Sequence, residues 1–254
     1  MTSLNIRPET KQQVDSFCQN LNKEAEELVK TFFPQKIEEM QLMLTTSFIC
    51  KDLETLKVLL DIPMPDPAKE EAKRKKKEEE KKKAGKDKDD KGDKDSDKED
   101  DAGPPCGPIC VNETVDALLK DTKRQISTLK EKLNTVSLWM QLQVPKVEDG
   151  NNFGVAVQEK VFELLTNTRT KIEAFQTLLG KYSNERGDAV AKAAKSPHVG
   201  DYRALVHQLD QFLYCELRLI VLEIRNIYAV LFDIITKNYV KIKKPKGDGK
   251  APIY

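Results

Sequence analysis

The chain has 254 residues, with 43 Lys and Arg against 42 Asp and Glu, a formal net charge of +1 and five cysteines. A near-neutral chain has no whole-molecule field to steer it toward nucleic acid, and scattered, odd-numbered cysteines (Cys18, Cys50, Cys106, Cys110, Cys215) are not a disulfide framework, which points to reduced thiols. The first residues carry no apolar leader and nowhere do about 18 apolar residues run together, so secretion and a membrane span are not expected, and the chain reads as cytoplasmic or nuclear.

The charge is unevenly spread. Of the 33 residues from Lys69 to Asp101, 28 are charged, 14 of each sign. The other 221 residues hold 57 charges, about 26%, which is ordinary for a globular chain. Roughly 220 residues suffice for one large core or two modest ones.

Four long stretches are poor in Gly and Pro, the punctuation of an all-helical protein. In the first, Val14, Phe17, Leu21, Ala25, Leu28 and Phe32 recur at three-and-four spacing and the stripe resumes at Ile37, Met40, Leu44 and Phe48. This predicts one helical element from about Pro8 to Phe48, kinked or broken at Pro34. A second helix is expected from about Asn112 to Gln143, its stripe (Val115, Leu119, Ile126, Leu129, Leu133, Val136, Met140) lapsing once at Thr122. The third, from about Gly154 to Tyr182, uses Val157, Val161, Leu164, Thr168, Ile172, Phe175 and Leu179. The fourth, from about Asp201 to Lys243, uses Tyr202, Val206, Leu209, Leu213, Ile220, Ile224, Ile227, Leu231 and Ile234.

Helices of this length are about 45 to 60 Å long at 1.5 Å per residue, so an elongated up-down four-helix bundle is predicted. Short connections at Val144 to Phe153 and at about Ser183 to Gly200 make sequential helices antiparallel neighbours. The loop between the second and third helices and the end of the fourth then lie at one end of the bundle. The fourth helix carries a second apolar set, Phe212, Cys215, Leu219 and Leu222. A helix apolar nearly all round must be buried nearly all round, which suggests copies packed side by side in an oligomer; a central place in an irregular monomer would also account for it.

By segment, 1–62 forms the first helical region, 63–110 a Pro-flanked linker expected to be disordered, 111–244 the remaining three helices, and 245–254 a flexible tail. The linker holds the charged run, which has almost nothing to bury. It reads as a solvating insertion or as a tether that recruits clients. Asp87-Lys-Asp-Asp-Lys-Gly92 begins like a calcium loop but has Lys91 and Lys98 where carboxylates are needed.

Catalytic and metal chemistry find little support. Only His198 and His207 exist, and neither has Glu three residues before it, so the di-iron bundle pattern is absent. Cys106-Gly-Pro-Ile-Cys110 has no second pair at zinc spacing, and no Gly-Lys is followed by Ser or Thr as in a P-loop. His207 reads as a core-edge or interface residue rather than a base. The basic residues around Lys241 to Lys246 are too few for a nucleic-acid face. An enzyme is not expected, and neither metal nor cofactor.

Two features remain at the shared end. The loop Pro145 to Gly154 combines turn formers at Asp149-Gly150 and Asn151-Asn152 with the carboxylates of Glu148 and Asp149, a rigid polar tip that can press on another protein or simply a well-made turn. The tail, stopped by Pro245 and loosened by Gly247, Gly249 and Pro252, finishes Ile253-Tyr254. Two large side chains and a carboxylate on a tether suit capture in a pocket with a lysine, although chain ends are often only frayed.

Pro63-Met-Pro-Asp-Pro67, the Lys/Glu run, Gly103-Pro-Pro-Cys-Gly107, the block Val147 to Val161, Ser196-Pro-His-Val-Gly-Asp-Tyr-Arg203 and Ile253-Tyr254 together resemble the 11S proteasome regulator family (REG, proteasome activator), in its alpha-subunit branch. The likeness covers essentially the whole chain, and the charged run is similar to the family's KEKE segment. It implies four-helix subunits in a seven-membered ring with a central channel, often mixed with a homologous beta subunit. It further implies an ATP-independent, non-catalytic activator of the 20S proteasome in an antigen-processing context. Ile253 and Tyr254 would dock on the core's alpha ring, and Glu148, Asp149, Gly150, Asn151, Asn152, Phe153 and Gly154 would form the activation loop that opens the gate. The competing expectation is a helical scaffold or adaptor that recruits clients through the charged run.

Overall fold

The computed structural model describes residues 5–66, 68, 71–72, 75–76, 78–79, 106–147 and 150–247. Among these there is no strand. The helices are α1 (Pro8–Glu27), a π-helical turn (Leu28–Phe32), α2 (Phe33–Thr46), α3 (Glu113–Leu142), α4 (Phe153–Lys195) and α5 (Gly200–Lys243), with a 3-10 turn at Leu53–Leu56. Within the range 63–110 expected to be disordered, the described residues from 68 to 79 are helical, and the other positions of the charged run lie outside the described residues.

Pro34 neither breaks the first element nor leaves it regular. It has no N–H to offer the carbonyl four residues back, and the chain absorbs the defect one turn earlier. Leu28–Phe32 widens to π geometry, with the Phe33 N–H donating to the Leu28 carbonyl five residues back. Pro34 then sits in the first turn of α2, where a missing donor costs nothing.

The chain forms two compact units. The first comprises Met1–Cys50, Ala117–Leu179 and Cys215–Tyr254. Its contacts close a ring of antiparallel neighbours. Trp139 of α3 donates its indole N–H to Asn22 of α1 at 2.9 Å, while Gln125 of α3 donates to Glu39 of α2 at 2.7 Å. Arg169 of α4 pairs with Asn134 of α3, Lys171 of α4 with Glu223 of α5 at 2.6 Å, and Arg225 of α5 with Gln41 of α2 at 2.6 Å. In each pair rising numbers on one helix meet falling numbers on the other, the up-down arrangement that short connections favour. The stripes read from spacing line its core, with Ile126, Leu129, Ile172, Ile220 and Ile224 all essentially inaccessible. Phe33 and Tyr228 pack with ring centroids 5.4 Å apart. Thr122, the lapse in the α3 stripe, is fully buried and its hydroxyl has no partner.

Val14 and Phe17, expected in the core, are each 55% exposed. Asn22 already meets Trp139 and Gln143 at the last turn of α3, and Glu26 meets Lys243 at the last residue of α5. The helix before Leu21 therefore runs past the ends of both partners. Phe212 and Leu219 of the second apolar set of α5 are also exposed, as is Val230, apolar surface that the other described residues do not cover.

The second unit comprises Lys51–Asp116 and Gly180–Tyr214. Here α4 continues 13 residues beyond the expected end at Tyr182, and the connection shrinks to residues 196–199. Gly180 and Gly187 lie inside the helix, each costing about 1 kcal/mol against alanine. The extra turns recover it by burial: Ala189 and Ala193 form a small core with Leu60, Ile62 and Val206. Ile109 and Cys106, in the range read as linker, pack against this core, and the Cys106 thiol donates to the Asp61 carbonyl at 3.5 Å.

A buried polar cluster completes the unit. Asp210, 1% exposed, accepts from Arg186 Nε at 2.8 Å and the Tyr182 hydroxyl at 2.7 Å on one oxygen, and from Asn112 Nδ2 at 3.1 Å on the other. Asn112 also donates to the Leu56 carbonyl at 2.8 Å and caps α3 by accepting from the Val115 N–H. Burial, with the Asp210 charge, pushes the Tyr182 hydroxyl well above the ordinary tyrosine range.

Candidate functional site: the loop and the end of the last helix

The α3–α4 loop is built by its own turn chemistry. Gly150 has φ of 120°, a conformation that excludes most side chains. The Asn151 carboxamide oxygen accepts from the Phe153 N–H at 3.0 Å, and the Asn152 carbonyl accepts from the Ala156 N–H at 3.0 Å, so the two asparagines start α4 in succession. Phe153 is exposed, with the Lys241 ammonium 5.8 Å from its ring centroid.

The other wall is the end of α5. Its last turn closes with the Lys244 N–H on the Val240 carbonyl at 2.9 Å, and Pro245 is buried at once behind it. Gly247 turns the chain away with φ of 74°, its N–H donating to the Lys244 carbonyl at 3.1 Å.

Besides the Lys241–Phe153 contact, three contacts join these walls. Gly154 lies so close to Pro245 that a Cβ would stand 2.1 Å from the proline carbonyl oxygen. The Lys246 ammonium donates to the Asn152 side-chain oxygen at 2.7 Å. Gln158, 3% exposed, donates to the carbonyls of Gln143 at 3.1 Å and Ile242 at 2.7 Å.

The base of α5 is held in turn by α1. Glu26 accepts from Tyr239 at 2.5 Å, Lys243 at 2.7 Å and Lys30 at 3.0 Å. Hydrogen bonds from Lys243, Tyr239 and Lys30 hold its carboxyl down at about 2. Tyr239 also stacks on Trp139 with centroids 6.2 Å apart. Beside the loop, a largely apolar groove of about 320 Å³ runs between α3 and α4, lined by Met140, Val144, Val155 and Phe162 with Gln141, Gln158 and Glu159.

Of the expected site residues, Gly150, Asn151, Asn152, Phe153 and Gly154 are brought to one place against the end of α5. Glu148, Asp149, Ile253 and Tyr254 lie outside the described residues. Sequence reading missed Gln158, Pro245 and the pairing role of Lys246. Gln158 was detectable, because a polar residue four after Gly154 and three before Val161 falls on the buried face of α4. Among the described residues no group of three or more His, Cys, Asp or Glu could hold a metal ion, and no helix is long and apolar enough to cross a membrane. The arrangement holds two backbone segments and an exposed aromatic ring in fixed positions relative to each other.

Comparison with known proteins agrees across the chain. Residues 8–67 match the family domain described as Proteasome activator PA28, N-terminal, and residues 108–251 match Proteasome activator PA28, C-terminal. The chain is 47% identical to the Bos taurus protein named Proteasome activator complex subunit 2, over 97% of this chain and 95% of that one. It is 34% identical to the Homo sapiens protein named Proteasome activator complex subunit 3, over 99% and 98%. Among solved structures, the 11S subunit of the Plasmodium falciparum proteasome, PA28, superposes with a TM-score of 0.68 at 23% identity, covering 97% of this chain and 99% of that one. That last likeness is one of fold.

Proposed function

The chain belongs to the proteasome activator PA28 family, and on that premise we propose that it is a non-catalytic, ATP-independent activator of the 20S proteasome. It assembles, alone or with a homologous beta subunit, into a seven-membered ring in the cytoplasm. Ile253 and Tyr254 dock on the core's alpha ring, and the loop from Glu148 to Gly154 opens the gate, raising peptide hydrolysis and release in an antigen-processing context.

The observation that carries this reading is the joining of loop to tail base: Gly154 against Pro245, Asn152 with Lys246, and Gln158 with Ile242. A tail that docks from this base delivers the loop to the same surface. Seven tethered tails bind far more tightly than one because each binding event raises the effective concentration of the next. No nucleotide is needed, since preferential binding to the open gate supplies the free energy.

The test is hydrolysis of a fluorogenic peptide by latent 20S core without ATP, with the intact chain, a chain lacking Tyr254, and Asn151→Phe. The intact chain stimulates; loss of Tyr254 weakens association; Asn151→Phe associates but does not stimulate. An intact ring that binds no core would move the reading to a helical scaffold.

A further inference from the structure

Gln158 reaches the backbone on both sides of the candidate site. Its Nε2 donates to the Gln143 carbonyl, just past the last residue of α3, and to the Ile242 carbonyl in the last turn of α5. Carbonyls at helix C-termini have no partner within their own helix, so one amide nitrogen serves two orphaned acceptors from two elements. Both partners accept, which fixes the nitrogen toward them. The Gln158 Oε1 is left buried without a partner. An apolar side chain of the same length would fill the space with no unpaired oxygen of its own, but it would leave both carbonyls without this donor.

We propose that Gln158 is a positioning residue for gate opening, one that locks the first residues of the loop to the root of the tail so that docking through the tail sets the height and orientation of the loop. The inference rests on the activator reading above. The other links between the two segments are of a different kind: Gly154 and Pro245 limit approach but do not hold, and the Lys246–Asn152 pair is exposed to solvent. Gln158 is the buried hydrogen-bonded brace, and the short chain from Gln143 to Phe153 makes its effect local to the loop. Without it the tail still docks, but the loop is no longer carried to a fixed place.

The test compares the intact chain with Gln158→Met, which keeps the length and removes both donations, and Gln158→Asn, which keeps the amide one methylene short. Each is titrated against latent 20S core, reading the half-saturating concentration and the plateau of peptide hydrolysis. Amide exchange is read over residues 150–153 and 240–247 in the assembly without core. Both variants are expected to keep the half-saturating concentration and to lose about tenfold in plateau, the factor of roughly one net hydrogen bond. Exchange should quicken in the two segments but not in the middle of α3 and α4. A merely structural residue would instead lower assembly and plateau together and quicken exchange throughout the helices, and that pattern overturns the proposal. Should Gln158→Met not assemble, a Gln158→Asn plateau and exchange equal to those of the intact chain also overturns it. Failure of the intact chain itself to stimulate overturns the activator reading, and the exchange arm then still decides whether Gln158 couples loop and tail.

Discussion

Gly154 and Pro245 meet backbone to backbone, closely enough that a Cβ on the glycine would lie 2.1 Å from the proline carbonyl oxygen and 2.6 Å from its Cα. Neither atom belongs to a flexible side chain, so nothing can rotate out of the way. Gly154→Ala must push the end of α5 off the first turn of α4, and overpacking of this kind costs about 1 to 3 kcal/mol. Urea denaturation should show that loss, and stimulation of the core should fall with it. An alanine variant of unchanged stability would mean that the two segments separate freely.

Breaking the buried pair in the second unit should cost more. Asp210→Ala leaves the Arg186 guanidinium buried, and removing one partner of such a pair costs roughly 3 to 5 kcal/mol. Replacing both, as Arg186→Met with Asp210→Leu, should recover much of it, because the desolvation penalty disappears with the charges. Chemical denaturation of the three variants checks the order: single below double, double near the parent.

Acid should release α1 from the end of α5. The Glu26 carboxyl is held at about 2 in the fold by Lys243, Tyr239 and Lys30, so its contribution is present above the unfolded carboxylate value of about 4.3 and is lost as pH falls from there toward 2. The group is partly exposed, so about 1 kcal/mol is expected. Glu26→Gln should lower stability by that amount at pH 7 and flatten the curve between pH 4.5 and 2, read by thermal denaturation across pH.

Mild acid acts on the second unit through His207. Its Nδ1 is buried without a partner, and burial lowers its pKa in spite of the neighbouring Asp210 carboxylate; Lys57 and Arg186 lower it further, while Glu54 opposes them. The unfolded chain therefore binds a proton first. Stability should fall as pH drops through about 6.5 and level off below the folded value. Proton NMR should place the His207 titration below 6.5, and His207→Gln should remove that slope. A midpoint at or above the free value would contradict the buried geometry.

What could be read from the residues alone follows from periodicity and from turn chemistry, both local. Stripes at three-and-four spacing specify helices and their buried faces wherever the partner is simply another stripe, which is why the α3 stripe matches expectation. The block Val147 to Val161 carries its turn in its own Gly and Asn residues, so the loop and the start of α4 were legible as well. Tertiary structure alone decided the rest. Tyr182 was expected to end the third helix, and Gly180 and Gly187 do cost helix stability, yet the turns beyond it find Leu60, Ile62 and Val206 to bury against, and that gain depends in part on residues more than a hundred positions away, Leu60 and Ile62. Val14 and Phe17 carry the same spacing as the core, and only the ends of α3 and α5 determine that nothing described lies opposite them. The contacts from Gln158 to Ile242 and from Gly154 to Pro245 span more than eighty residues; no local pattern encodes such a pairing, because its free energy exists only once two helix ends have been brought together.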